Sequence, residues 1–329
     1  MDKDRAKLGD AQRNLGKRNR LKWFSSHIAG LLYYNNPDSP LRKSYQNSFH
    51  CADSFQVKEG KLIQHYCKVR WCQTCIRIKM GTMINRYAPR LEQEQLYFVT
   101  LTRPNVPAGE LKQELDSIYN TFRGIIKNRW FYRFLKDGGI GIRKTECTYN
   151  PERDDYHPHF HILLSDKGTA EKLLADWLRL NPTASPDAQD LKQVKGKGGI
   201  LEVFKYFTKL LAKDNSGRRF FDPIHMNVIF EAMNGRRVYQ RLGTTASWGC
   251  DEVTEEDENQ YATLDYPEGR EGEIFKWLES EDFYGWYSIE TGDTLVESKK
   301  TRLHEVFTEV EDEYGTHKFK KDGFLEWVE

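Results

Sequence analysis

The chain lacks any apolar run that could cross a bilayer: the longest early stretch, residues 28–34, holds a glycine and falls far short of the ~20 residues a span needs. Met1-Asp2-Lys3-Asp4-Arg5 opens no basic–apolar–small secretory pattern. No G-x-x-x-x-G-K-[ST] phosphate loop occurs; Gly196-Lys197-Gly198-Gly199 is the nearest approach, so no fused helicase is expected. Internal repeats and low-complexity segments are also missing. Six cysteines in 329 residues, without a secretory leader, point to reduced thiols in the cytoplasm rather than to a disulfide framework, and no membrane partner is expected.

Net charge is nearly absent too, at +1, but that figure hides a gradient. Residues 1–90 carry 18 Lys/Arg against 6 Asp/Glu, residues 91–250 carry 24 against 19, and residues 251–329 carry 8 against 24. Arg13, Lys17, Arg18, Arg20 and Lys22, followed by Trp23-Phe24, form a basic arm of the kind that phosphate contacts and base stacking require. The acidic end does not favour nucleic acid. Its Trp277, Tyr284, Trp286, Tyr287 and Trp327 argue for a small folded or partner-binding appendage rather than disorder.

Cysteine is scarce but clustered. Cys67-x4-Cys72-x2-Cys75, with Cys51 sixteen residues before Cys67, offers four thiolates that could enclose Zn²⁺ tetrahedrally. His50 or His65 could stand in for Cys51 as the fourth ligand. Cys147 is expected to pack against a sheet, and Cys250 carries no signal.

Tyr156-His157-Pro158-His159-Phe160-His161-Ile162-Leu163-Leu164 puts three imidazoles at alternate positions entering an apolar run. In a strand His157, His159 and His161 share one face, and Phe160, Ile162 and Leu164 point into a core. Imidazoles two residues apart on one strand can reach a single divalent ion. Residues 139–149 read as the preceding strand, and Asn150-Pro151-Glu152-Arg153-Asp154-Asp155 supplies turn chemistry for a hairpin. That pairing brings Glu146 near His159 or His161 as a third ligand. His157, on the same face, is the competitor.

Downstream, Ile200, Val203, Phe204, Phe207, Leu210 and Leu211 recur at helical spacing over residues 200–213. Glu202, Tyr206, Lys209 and Lys213 then line up on the opposite face. A phenol has a pKa of about 10 and is a weak nucleophile at neutral pH, so it needs a metal-polarised electrophile or a cation that favours phenolate.

Phe98-Val99-Thr100-Leu101-Thr102, His159-Phe160-His161 and Glu202-x-x-x-Tyr206-x-x-Lys209 occur in that order over residues 96–213. The set resembles the HUH endonucleases, and most of all the single-tyrosine rolling-circle replication initiators of small plasmids. The resemblance implies that Tyr206 attacks one strand of single-stranded or hairpin origin DNA, leaving a 5′-phosphotyrosine and a free 3′-hydroxyl. His159 and His161 would hold Mn²⁺ or Mg²⁺, with an acidic ligand from the neighbouring strand, and imidazole ligation favours manganese. Lys209 would stabilise phosphate or phenolate charge. Glu202 stands where some relatives place a second tyrosine, and would act as general base for hydrolytic release. Relatives often carry a cysteine cluster ahead of the nuclease core. Host helicase and DNA polymerase would supply strand separation and synthesis. A transposase or relaxase of the same superfamily shares the chemistry, and a zinc-dependent regulator without catalysis would keep the cysteines but not need Tyr206.

The expected fold is α+β: a central antiparallel sheet bearing the histidines, flanking helices, an N-terminal zinc-binding module and an acidic C-terminal appendage. The expected segments are a basic arm (1–41), a cysteine module (42–90), a nuclease core (91–242) and an acidic, aromatic-containing region (243–329). Within the core, residues 96–102 read as a strand, 111–130 and 170–180 as helices, 195–199 as a loop before the tyrosine helix, and 226–230 and 237–241 as short strands. Oligomeric state has no signature in the sequence.

Overall fold

A computed structural model describes residues 2–204, 212–213, 219–248, 264–265, 271–280, 282–299, 308–312 and 315–319. Tyr206, Lys209 and Cys250 lie outside the described residues. The fold is α+β, and the chain divides into two compact units. Residues 1–79, 219–224 and 253–329 make the first, and residues 80–218 and 225–252 the second. No described helix is long and apolar enough to cross a membrane.

In the first unit the expected basic arm is instead a helix, Asp2–Asn35. From Leu15 onward it buries Trp23, Ile28, Ala29, Leu31 and Leu32. Lys22 is buried as well, donating to the Phe49 carbonyl at 2.8 Å and pairing with Asp53. The Trp23 indole donates to Glu279 Oε1 at 3.0 Å and its ring stacks on His27. Trp23 and Lys22 are therefore structural and not open to nucleic acid, which corrects that part of the arm reading; Lys17 and Arg20 stay exposed. The acidic region is folded, as its aromatic residues imply. Ile274–Glu279, Phe283–Ser288 and Thr294–Lys299 join Ser54–Lys58, Lys61–Gln64 and Leu264–Asp265 in one six-stranded antiparallel sheet. Alternation along Phe283–Ser288 turns Tyr284 and Trp286 inward, and the Trp286 ring meets Phe55 edge-on at 4.8 Å. Its indole N–H donates to the Ala52 carbonyl beside Cys51, so the C-terminal strands complete the cysteine module.

The second unit is built on a five-stranded antiparallel sheet in the order Asp190–Gln193, Tyr97–Thr102, Asp155–Leu164, Ile140–Asn150, Tyr239–Gly243. One face packs on helices Leu111–Ile126 and Lys167–Leu180: Phe122 and Trp177 set their rings against Phe160. Arg143 is buried in that layer, its guanidinium over the rings of Tyr119, Phe122 and Phe160, and burial lowers its pKa to about 10. The other face carries Phe98, Ile142 and Leu163, covered at one end by Ile200, Val203 and Phe204 of helix Gly196–Phe204 and by Met83, Tyr87 and Leu91. Four local expectations change, and the first is that Ala212–Lys213, read at the end of a helix over 200–213, is a short strand beside Arg219–Phe220. The helix read over 111–130 breaks after Ile126 and restarts as Arg129–Lys136. Residues 226–230 lie in a helix, Pro223–Met233, because a short apolar run has no decisive period and Pro223 at its start favours helix. Helix Gly196–Phe204, which carries Glu202 of the tyrosine motif, begins inside the expected loop.

Gly243 ends the last strand at φ +64°, and a Cβ there would stand 2.1 Å from the Gly139 carbonyl oxygen, which accepts from Thr244 N at 3.0 Å. Left-handed backbone and contact strain add. Gly243→Ala is expected to destabilise the second unit by about 2–4 kcal/mol, read as a lower urea midpoint with an unchanged slope.

Candidate active site

The hairpin Ile140–Asn150/Asp155–Leu164 fixes a register in which Glu146 faces His159 and Lys144 faces His161. On the other side of the histidine strand, Thr102 faces His159 and Thr100 faces His161. Side chains of directly opposed residues point to the same face. Glu146, His159 and His161 therefore converge, with one ligand atom from each lying within 4.8 Å of the others.

The two imidazoles are held by their far nitrogens. His159 Nδ1 lies 3.0 Å from the His157 carbonyl, which can only accept, so the proton is on Nδ1 and the Nε2 lone pair is free. His161 Nδ1 meets Thr100 Oγ1 at 3.2 Å. The two Nε2 atoms stand 3.1 Å apart, and Glu146 Oε2 lies 3.4 Å from His161 Nε2. Adjacent ligands of an octahedral ion, at bond lengths of about 2.1 Å, stand about 3 Å apart. These donors fit a divalent cation.

Lys144 was not anticipated. Its ammonium is 1 % exposed and donates to Glu146 Oε2 at 2.8 Å. Its only sequence signal is strand parity, two residues before Glu146. Burial alone would raise the Glu146 carboxyl, but the hydrogen bond from His161 and the charge of Lys144 hold it well below the usual carboxylate range. Burial dominates at His159 and lowers its imidazole to about 3, against the opposing pull of Glu146; the neutral, ligating form prevails. His157 turns away to Asn105: Nδ1 meets Oδ1 at 2.7 Å, and Asn105 in turn donates to Asp155 at 2.6 Å. Of the two competitors for third ligand, Glu146 is the one in the cluster.

The helix Gly196–Phe204 packs on this same face, because Phe98, Ile142 and Leu163 share strand parity with Thr100, Lys144 and His161. Phe98 reaches the His161 ring at 5.1 Å between centroids. Glu202 is half-buried on that helix and outside the three-residue cluster. Tyr239, the cross-strand partner of Lys144, donates from its hydroxyl to the Phe204 carbonyl at 3.3 Å. Burial pushes the Tyr239 phenol up, and nearby Glu146 pushes it the same way.

In the first unit Cys51, Cys67, Cys72 and Cys75 bring all four sulfurs within 4.8 Å of one another. Cys75 Sγ lies 3.6 Å from both Cys51 and Cys67 Sγ. That is far too long for a disulfide and close to the roughly 3.8 Å edge of a tetrahedron with 2.3 Å bonds. Backbone N–H groups of Cys67 and Val69 point at Cys51 and Cys67 sulfurs at 3.4 and 3.5 Å. The residues after two of these cysteines, Ala52 and Lys68, take left-handed backbone at φ 61° and 57°. Cys75 sits in the first turn of helix Gln73–Leu91, whose positive end favours thiolate. His50 pairs with Asp53 and His65 is exposed, so neither replaces Cys51. Cys147 is buried on the far sheet face, and burial raises its thiol.

A family model described as a replication protein matches residues 61–286. A relative from Staphylococcus aureus designated Protein rep is 36 % identical over 120 residues, covering 35 % of this chain and 51 % of the relative. Relatives with the same designation from Bacillus amyloliquefaciens and a Bacillus species are 29 % identical over 222 residues and 31 % over 180. They are covered over 62 % and 57 % of their length, against 59 % and 48 % of this chain. The chain thus spans between half and two thirds of these relatives. No solved structure matches it significantly.

Proposed function

The chain belongs to this replication-protein family, and on that premise we propose that it initiates rolling-circle replication by nicking and rejoining one origin strand through Tyr206. The observation that carries the proposal is the convergence of Glu146, His159 and His161 on one sheet face, with helix Gly196–Phe204 packed on that face. A divalent ion held there would polarise the scissile phosphate. Phe204, two residues before Tyr206, is tied to Tyr239 beside Lys144, which supports delivery of Tyr206 to this site.

The phenolic oxygen of Tyr206 bonds to phosphorus as the bond to the 3′-oxygen breaks, giving a 5′-phosphotyrosine and, after protonation, a 3′-hydroxyl. Lys209, three residues on, favours the phenolate. Glu202 cannot repeat the phenol's attack, and takes a proton from the water that later breaks the ester. The His157 carbonyl holds His159 in its ligating tautomer, Thr100 braces the His161 ring at Nδ1, and Lys144 keeps Glu146 ionised. In the first unit the four cysteines hold a structural zinc. Single-stranded or hairpin origin DNA is the substrate in this reading, and host helicase and polymerase do the rest.

The test is covalent capture. Single-stranded origin DNA and Mn²⁺ should give a protein–DNA band on denaturing gels that Tyr206→Phe abolishes. A Tyr206→Phe protein that still forms the band would refute the assignment. DNA binding without any band from the unaltered chain would favour a regulator without catalysis.

A further inference from the structure

We propose that the exposed face of helix Arg129–Lys136, with the end of helix Leu111–Ile126, is a second DNA contact that grips the phosphate backbone of the duplex beside the nicked strand. Residues 117–136 carry Arg123, Lys127, Arg129, Arg133 and Lys136 and no acidic side chain, and all five are exposed. In the shorter helix Arg129, Tyr132, Arg133 and Lys136 fall at i, i+3, i+4 and i+7, so they form one stripe. Residues 91–250 hold 24 basic against 19 acidic side chains, so this stretch equals the whole positive surplus of that region.

A charged helix face is often merely solvated. Three features set this one apart. First, Glu114, Asp116, Glu171 and Asp176 on the neighbouring helices pair with Arg103, Arg236, Lys167 and Arg179, and none of the five basic residues has an ion-pair partner among the described residues, with Asp137 the acid that follows the stripe. Second, Tyr132 in the middle of the stripe is 58 % exposed, the most exposed large apolar side chain among the described residues. Third, the helix is firmly seated. Phe131 is fully buried, the Trp130 indole donates to Asp176 at 3.2 Å, and Gly139 N bonds the Phe134 carbonyl at 2.9 Å. A rigid, one-sign surface with one aromatic suits a regular array of phosphates.

Placement separates this surface from the nicking site. Helices Leu111–Ile126 and Lys167–Leu180 pack on the Phe160 face of the sheet, whereas His159 and His161 point to the other. The Trp130–Asp176 bond puts helix Arg129–Lys136 in the same layer. Duplex DNA is the better occupant than a single strand, because it presents one charge per about 1.7 Å of axis and needs no stacking platform, whereas one tyrosine is a poor platform. Contacts of this kind position the duplex without reading its sequence.

The test uses the full chain carrying R129Q, R133Q and K136Q together, all exposed, so the fold is kept. Affinity for a duplex with the nick-site flank is measured across a salt series by fluorescence anisotropy. Loss of three phosphate contacts should flatten the slope of log affinity against log salt by about 2.7 and weaken binding at least tenfold. Tyr132→Ala should weaken it further without changing the slope. Nicking of a short single strand bearing only the cleavage site should be unaffected. An unchanged slope and affinity overturns the proposal, and leaves an acidic protein as the surface's partner. Equal loss of single-strand nicking also overturns it, by placing these residues at the cleavage site. If the unaltered chain nicks nothing, the nicking reading fails while the salt slope still decides this one.

Discussion

His159→Ala is expected to slow single-turnover nicking about 1,000-fold at saturating Mn²⁺, and Glu146→Ala to do nearly the same. Electrophilic stabilisation by a bound divalent ion supplies several kcal/mol, and about 4 kcal/mol corresponds to three powers of ten in rate. The loss follows from the geometry. With Nε2 of His159 and His161 only 3.1 Å apart, removing one imidazole leaves the other with a single carboxylate partner, Glu146 Oε2 at 3.4 Å. Glu146→Gln keeps the shape but not the charge, and leaves the buried Lys144 without its counter-ion. That variant should need a higher Mn²⁺ concentration for half-maximal rate than the parent. Thr100→Val, which removes only the support of His161 Nδ1, should cost metal affinity by about 10- to 100-fold and be rescued by excess Mn²⁺. Duplex binding should stay constant throughout. A His159→Ala rate within tenfold of the parent would mean that the cluster is not where cleavage occurs.

Cys72→Ala is expected to unfold the first unit. Structural zinc sites contribute on the order of 10 kcal/mol of folding free energy, comparable to the whole stability of a domain. Cys72 is 1 % exposed, and neither His50, occupied by Asp53, nor His65, which faces solvent, replaces it. The Trp286 indole rests on the Ala52 carbonyl next to Cys51, and Trp71 precedes Cys72, so both buried rings report on the cluster. The expected signature is one zinc per chain by elemental analysis in the parent and none in the variant. Tryptophan emission should also shift to the red, and the thermal midpoint should fall by more than about 10 °C. A variant that retains the parent's midpoint and emission would show that the four thiols are ordinary core residues.

How much of this was legible depends on which signals were local. The alternation from His157 to His161 gave the shared face directly, and the turn chemistry of residues 150–155 placed Glu146 near His159 or His161, while the register that sets it opposite His159 is seen only in the structure. Lys144 and Thr100 follow from the same register but carry no distinguishing pattern of their own, and Asn105 reaches His157 from a loop. The long N-terminal helix was missed because Asn19, Lys22, Ser25 and Ser26 are buried on it, interrupting the apolar stripe that would mark a packed face. Its basic residues then read as an arm. The sheet of the first unit was hidden for another reason. Ser54–Lys58 pairs with Ile274–Glu279 across more than two hundred residues, and acidic composition masked strands whose inward positions are aromatic. At residues 127–128 only a cap distinguishes one long helix from two. Asn128, with extended backbone, makes that break.

The central claim is that Tyr206 is the nucleophile of a metal-dependent strand transfer, and one measurement addresses it directly. The covalent protein–DNA product formed with single-stranded origin DNA and Mn²⁺ is digested with nuclease and trypsin, and the modified peptide is sequenced by mass spectrometry. Cleavage after Lys205 and Lys209 isolates Tyr206-Phe207-Thr208-Lys209, which holds a single tyrosine. The account predicts the nucleotide on that peptide. A nucleotide on Tyr239 instead, or a cut strand with no adduct on any peptide, would contradict it.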